Sequence, residues 1–212
     1  DLHLSRGLGD VYKRQLNCET DFVAKNESFV ALANQIATIA LSANTKDELL
    51  SSDFENTTVQ EKLIEQTGVI GEKLEIGSFE RISSEFVGSY IHAGNKIATI
   101  VGLSNSFDGA SEVAKNVSMQ AAAMNPVALD ENGVSKDVIE KEIEIAKDQL
   151  RAEGKPEAML DNIAKGQLKK FFKENTLVNQ AFIKDNKLSV TDYVKSVNSE
   201  CSITDFKRSA LV

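Results

Sequence analysis

The chain has 212 residues, 42% of them hydrophobic, enough for one large core or two small ones, and its net charge is −8 with an isoelectric point near 4.9. That charge repels phosphate backbones at long range and argues against direct nucleic-acid binding, while only two histidines, His3 and His92, leave little for imidazole-based metal or acid–base sites. Cys18 and Cys201 stand far apart with no metal-ligand spacing or disulfide framework, no run approaches the ~18 apolar residues of a membrane-spanning helix, and no secretory signal opens the sequence, so a cytoplasmic location is expected.

Asp1 to Gln15 lacks an initiator methionine and carries no helical or strand period. It reads as a fragment's end or a foreign segment and carries no weight for the fold, apart from Val11 to Leu16, which can extend a strand into Asn17-Cys18. The stretch Asn17-Cys18-Glu19-Thr20-Asp21-Phe22-Val23-Ala24-Lys25-Asn26 follows. Thr20 is a candidate N-cap, its hydroxyl accepting a backbone N–H two or three residues on, and Asp21 and Phe22 project from the turn it makes. An acid beside an exposed aromatic at a helix start suits a partner-binding site, the one perturbing charge and the other wedging into a pocket. The same residues also read as an ordinary capped helix start with Phe22 turned into the core.

After Asn26, Phe29, Leu32, Ala33, Ile36, Ala37 and Ala40 recur at helical spacing, predicting a helix over about 27–42. A second helix is signalled by Thr57 or Thr58 as cap, Gln60 or Glu61 three residues later, Leu63 on a narrow apolar face, and Gly68 as its stop. The period then changes to two around Leu74 and Ile76, and the extended region continues through Phe79 and Ile82. Phe86 to His92 and Lys96 to Leu103 are rich in β-branched and aromatic residues and should pair antiparallel around Ala93-Gly94-Asn95. A helix over about 108–124 ends at Asn125-Pro126.

From Ser135, Ile139, Ile143, Ala146 and Leu150 form one stripe, broken at Gly154-Lys155-Pro156, where Pro156 opens a second helix carrying Leu160, Ile163, Gln167, Phe171 and Phe172. Two such helices of similar length predict an antiparallel helical hairpin with coiled-coil-like contact, projecting from the body; its outer tip reads equally as a solvated charged spacer. A short helix over 190–197 after Ser189 and an extended end over 203–211 complete the chain. The expected fold class is α+β: two small α/β subdomains with antiparallel sheets, 16–83 and 84–134 with 175–212, and the hairpin 135–174 inserted in the second.

The run Asn17 to Asn26 resembles the signature of translation elongation factor Ts. So do Ile70-Gly71-Glu72, Gly88-Ser89-Tyr90-Ile91-His92, Met119 to Leu129 with its Ala-Ala-Met-Asn-Pro core, Gly154-Lys155-Pro156, and Phe171 to Phe182-Ile183-Lys184, in the family's order. The resemblance covers nearly everything from Leu16 onward. It implies a guanine-nucleotide exchange factor whose partner is the GTPase elongation factor Tu, with no cofactor of its own and no catalytic residue. Thr20-Asp21-Phe22-Val23 is similar to the segment that dislodges Mg²⁺ from that GTPase, Phe22 wedging between its helices. Ile70 and Gly71 match a neighbouring contact loop, and His92 matches a histidine that approaches the nucleotide site. It further implies a small three-helix module ahead of the core, which the first fifteen residues do not match. Two other readings stand beside it: a passive adaptor that holds a GTPase without accelerating exchange, and an acid–base enzyme using Glu19, Asp21 and His92, which no phosphate loop or nucleophile motif supports.

Overall fold

The computed structural model describes residues 2–6, 10–93 and 96–210, with side chains from Leu16 onward. It opens with two strands, β1 (Leu2–Arg6) and β2 (Asp10–Asn17), then a one-turn helix α1 (Asp21–Ala24) and the helix α2 (Glu27–Ile39), capped by the Asn26 side chain on the Ser28 N–H. The stripe behaves as its spacing predicts: Phe29, Leu32, Ala33, Ile36 and Ala37 are buried, and a 3₁₀ turn over Ala40–Ser42 finishes the helix. Next come α3 (Lys46–Ser51), capped by Thr45, and the two-residue strands β3 (Asp53–Phe54) and β4 (Thr57–Thr58), none of which the sequence pattern announced.

The helix α4 (Val59–Ile70) starts where predicted, with a full capping box between Thr58 and Glu61. It does not stop at Gly68. It runs on to Gly71, whose φ of 79° supplies the left-handed turn that ends a helix, whereas Gly68 is an ordinary surface position in its last turn. Only Val59 and Leu63 of α4 are buried, in keeping with its narrow apolar face.

Strands β5 (Glu75–Ser83), β6 (Phe86–Ile91) and β7 (Ile97–Leu103) precede the helix α5 (Ala110–Met124). The expected hairpin is present, with Phe86 opposite Leu103 and Ile91 opposite Ala98, although Gly94 and Asn95 of its turn lie outside the described residues. The helices α6 (Lys136–Ala152), capped by Ser135, and α7 (Glu157–Asn175) follow, with Pro156 as the N-cap of α7 rather than its first residue. The chain ends with β8 (Ala181–Phe182), β9 (Asp185–Ser189), α8 (Val190–Val197) and β10 (Ile203–Ala210). Helices and small antiparallel sheets are mixed, an α+β fold.

Two compact units result, 1–122 with 201–212, and 123–200. The first holds two three-stranded sheets, ordered β1-β2-β5 and β10-β7-β6, all antiparallel. Residues 2–6 and 10–15, which carry no strand period in the sequence, form strands. β2 begins at Asp10 and pairs with β5, and β1 pairs with β2, because a neighbouring strand supplies backbone partners whether or not side chains alternate. One cluster packs α2, α3 and α4 around Phe29, Ile36, Leu49 and Leu63 with Leu74 and Ile76 of the adjoining extended segment. Against the second sheet, α5 sits so close at Gly88 that a Cβ there would collide with that of Ala114.

The second unit is built on Ala128, Val134 and Phe172, with Ile139, Leu168 and Phe171 packed beside them. Phe182 stacks on Tyr193 at a 4.0 Å centroid separation, and Ser189 and Asp192 form the capping box of α8. Lys147 on α6 reaches Asp161 on α7 at 2.6 Å, and Arg151 reaches Glu157 at 2.8 Å, so the two helices are tied across residues 153–156.

Candidate functional site

The signature stretch sits where β2 gives way to α1. Thr20 is the N-cap, in extended backbone, and its Oγ1 accepts from the Val23 N–H at 3.4 Å. Four residues make a helix too short to bury anything, and none of Asp21 to Ala24 is buried. Phe22 is 89% exposed, which removes the alternative of a core phenylalanine. Val23, next to it, is partly buried against the α2–α4 core and anchors the turn from below.

Ile70 and Gly71 lie at the end of α4, and the chain folds back there toward the signature. Ile70 packs on the same core as Val23, and the left-handed Gly71 turns the chain so that Glu72 faces the start of α1. Its carboxylate collects three donors: the N–H groups of Glu19 and Thr20 reach Oε2 at 2.9 Å each, and the Thr20 hydroxyl donates to Oε1. In the reverse direction the Lys73 N–H donates to Glu19 Oε1 at 3.4 Å. The Thr20 hydroxyl above all holds the Glu72 carboxyl below its usual range; desolvation pushes the other way more than either backbone amide pulls, and the amides of Thr20 and Glu19 add to the lowering. Cys18, behind this turn, donates its thiol to the Thr20 carbonyl at 3.4 Å, and partial burial pushes that thiol up, which disfavours the thiolate.

The third piece comes from the β6–β7 hairpin. Lys96 Nζ lies 3.7 Å from Asp21 Oδ2, so the hairpin end stands beside the signature turn. His92 is exposed at that end, its backbone N–H donating to Ile97 O at 2.8 Å and its Nδ1 3.0 Å from the Tyr90 hydroxyl. The structure therefore gathers Thr20-Asp21-Phe22-Val23 and Ile70-Gly71 directly and brings His92 to the neighbouring hairpin. Glu72 and Lys96 were missed as site residues. Glu72 stood in the sequence block Ile70-Gly71-Glu72, but its role needs a partner some fifty residues away that no local pattern names. Of the carboxylates of the acid–base reading, Glu19 receives the Lys73 amide and Asp21 faces Lys96. Among the described residues no group of three or more His, Cys, Asp or Glu could hold a metal ion, and no helix is long and apolar enough to cross a membrane.

The capped turn shows an acid beside an exposed phenylalanine, hydrogen-bonded to the loop after α4 and ion-paired to the β6–β7 hairpin. Comparison with known proteins puts the chain among the translation elongation factors. The family model for elongation factor TS matches residues 19–211, and the chain belongs to that family, in its bacterial form. It is 64% identical over 196 residues to elongation factor Ts of Christiangramia forsetii and 63% identical over 196 residues to that of Flavobacterium psychrophilum, covering 92% of this chain and 72% of each relative. Elongation factor Ts of Amoebophilus asiaticus is 47% identical over 196 residues, covering 91% of this chain and 71% of the relative.

Proposed function

We propose that this chain is a guanine-nucleotide exchange factor for the GTPase elongation factor Tu in translation elongation, acting in the cytoplasm. The observation that carries the reading is Phe22, 89% exposed on a turn whose neighbours are hydrogen-bonded in place. Burying a phenylalanine is worth about 1.5–3 kcal/mol, which the free chain forgoes and a partner's cleft can recover. On this reading Phe22 enters between two helices of the GTPase with Asp21 beside it, and Thr20 to Val23 displaces the Mg²⁺ that the partner holds with its nucleotide. Magnesium demands near-ideal octahedral geometry, so a small helix displacement loosens metal and phosphates together. Ile70 and Gly71 extend the contact, and His92 approaches from the hairpin.

Thermodynamics sets how such a factor works. Nucleotide held at nanomolar affinity is bound by about 12 kcal/mol, and the factor weakens it only by binding the nucleotide-free state correspondingly tighter. Nucleotide and factor therefore displace each other. The helices α6 and α7, tied by Lys147–Asp161 and Arg151–Glu157, support a further element of the proposal, that 135–174 is an antiparallel helical hairpin serving as an arm.

Release of labelled GDP from elongation factor Tu, with and without the chain, tests this. Acceleration that depends on Phe22 is expected. Binding without acceleration leaves a passive adaptor instead, and nucleotide turnover without the GTPase leaves an enzyme.

A further inference from the structure

We propose that Glu72 is the positioning residue of the wedge: its carboxylate latches the loop after α4 onto the turn at Thr20 and presets the direction in which Phe22 leaves the surface. What Phe22 does to a partner rests on the exchange reading; the latch does not.

The turn has little else to hold it. The helix α1 contains no buried residue, and its one apolar anchor is the partly buried Val23. Its other ties are slight: the Lys73 N–H reaches Glu19 Oε1 and the Cys18 thiol reaches the Thr20 carbonyl, each at 3.4 Å, and the Lys96–Asp21 pair at 3.7 Å joins side chains that are 61% and 69% exposed and contributes little in water. The other side is firm. α4 is anchored by Val59 and Leu63 in the core, and where the chain leaves it the Leu74 N–H donates to Thr67 Oγ1 at 3.0 Å. Glu72 transfers that firmness across the gap.

The chemistry suits a carboxylate. Two successive backbone N–H groups, from Glu19 and Thr20, converge on one oxygen, a small anion-binding concavity. The second oxygen takes the Thr20 hydroxyl proton, which leaves that hydroxyl's lone pairs free to cap Val23. The acid thus fixes both the backbone on which the cap is built and the orientation of the capping group. A glutamine at 72 keeps an acceptor for the two amides but has no second acceptor for the hydroxyl proton, so it should hold the latch in part. An alanine holds none of it.

A preset wedge lowers the ordering cost paid on docking, so losing the latch should appear as weaker apparent binding rather than slower exchange once docked. The test has two arms. In the free chain, amide hydrogen exchange at Glu19 and Thr20 should quicken by about tenfold in Glu72→Ala and by less in Glu72→Gln, while amides of the α2 core around Phe29 stay protected, showing that the fold survives. In GDP release from elongation factor Tu, the half-saturating concentration should rise roughly three- to tenfold for Glu72→Ala, less for Glu72→Gln, with the rate at saturation kept. Unchanged amide exchange in both variants overturns the latch. A fall in the saturated rate with an unchanged half-saturating concentration overturns the positioning role, because Glu72 would then act on the partner itself. If the unaltered chain releases no GDP, the exchange reading fails and the amide arm still judges the latch.

Discussion

Phe22 and Phe29 are the same side chain seven residues apart, yet one is 89% exposed and the other fully buried. Phe29 opens a stripe that repeats at 32, 33 and 36, so a helix of ordinary length necessarily turns it inward with its neighbours. Phe22 belongs to a four-residue helix with no stripe, and its place is decided by what the rest of the fold puts against it. Among the described residues nothing covers it beyond a small part, while the Glu72 carboxylate holds the backbone amides just before it. Burial follows from periodicity where there is enough of it, and from distant contacts where there is not.

The contrast should be sharpest in mutation. Phe29→Ala is expected to cost about 3–5 kcal/mol in denaturant unfolding, as for any large aromatic removed from a packed core. Phe22→Ala should shift stability by no more than about 0.5 kcal/mol while lowering saturated GDP release from elongation factor Tu by about tenfold or more. A Phe22 variant that unfolds like the Phe29 variant would erase the distinction.

The two threonine caps give a smaller version of the same comparison. Thr58 works with Glu61 three residues on, whereas Thr20 works with a carboxylate beyond α4. Thr58→Ala should cost about 1 kcal/mol of global stability. Thr20→Ala should instead leave the unfolding midpoint nearly in place and release the amides of the turn locally, because α1 has no core to pull down with it.

Acid separates the regions more gently. Hydrogen bonding holds the folded-state Glu72 carboxyl below its unfolded value of about 4.3, so its contribution is complete above that value and is lost as pH falls through the lower, folded one. Glu19 gives it a backbone amide, the Cys18 thiol feels its charge, and Lys73 is next in sequence. Carbon-detected NMR titration should find Glu72 with a midpoint below an ordinary glutamate, and Thr20→Val should return it toward that value by removing the largest cause. The smallest effect belongs to Lys96→Ala, a few tenths of a kcal/mol at most, visible chiefly as a weaker salt dependence of association with the GTPase.

Sequence patterns recovered the elements that carry their own signal. Asn26 and the stripe set α2, Thr58 with Glu61 set the start of α4, Ser189 set α8, and the β-branched runs set β6 and β7. The helix α3 escaped because six residues give less than two turns of periodicity, β3, β4 and β8 because strands of two residues take their definition from a partner, and β9 because Asp185-Asn186-Lys187 shows no apolar alternation. Gly68 misled because a glycine ends a helix only where the backbone turns left-handed, and that choice fell to Gly71.

By itself the sequence determined the α+β class, the long helices, and the family to which Asn17 to Asn26 and the later blocks point, because capping and hydrophobic period are properties of neighbouring residues. Only the tertiary structure decided that Phe22 faces water, that Glu72 holds the turn beneath it, and that Lys96 brings the hairpin of His92 alongside. Those facts rest on groups separated by tens of residues, whose meeting depends on how α2, α4 and the two sheets pack, and packing is a property of the whole chain.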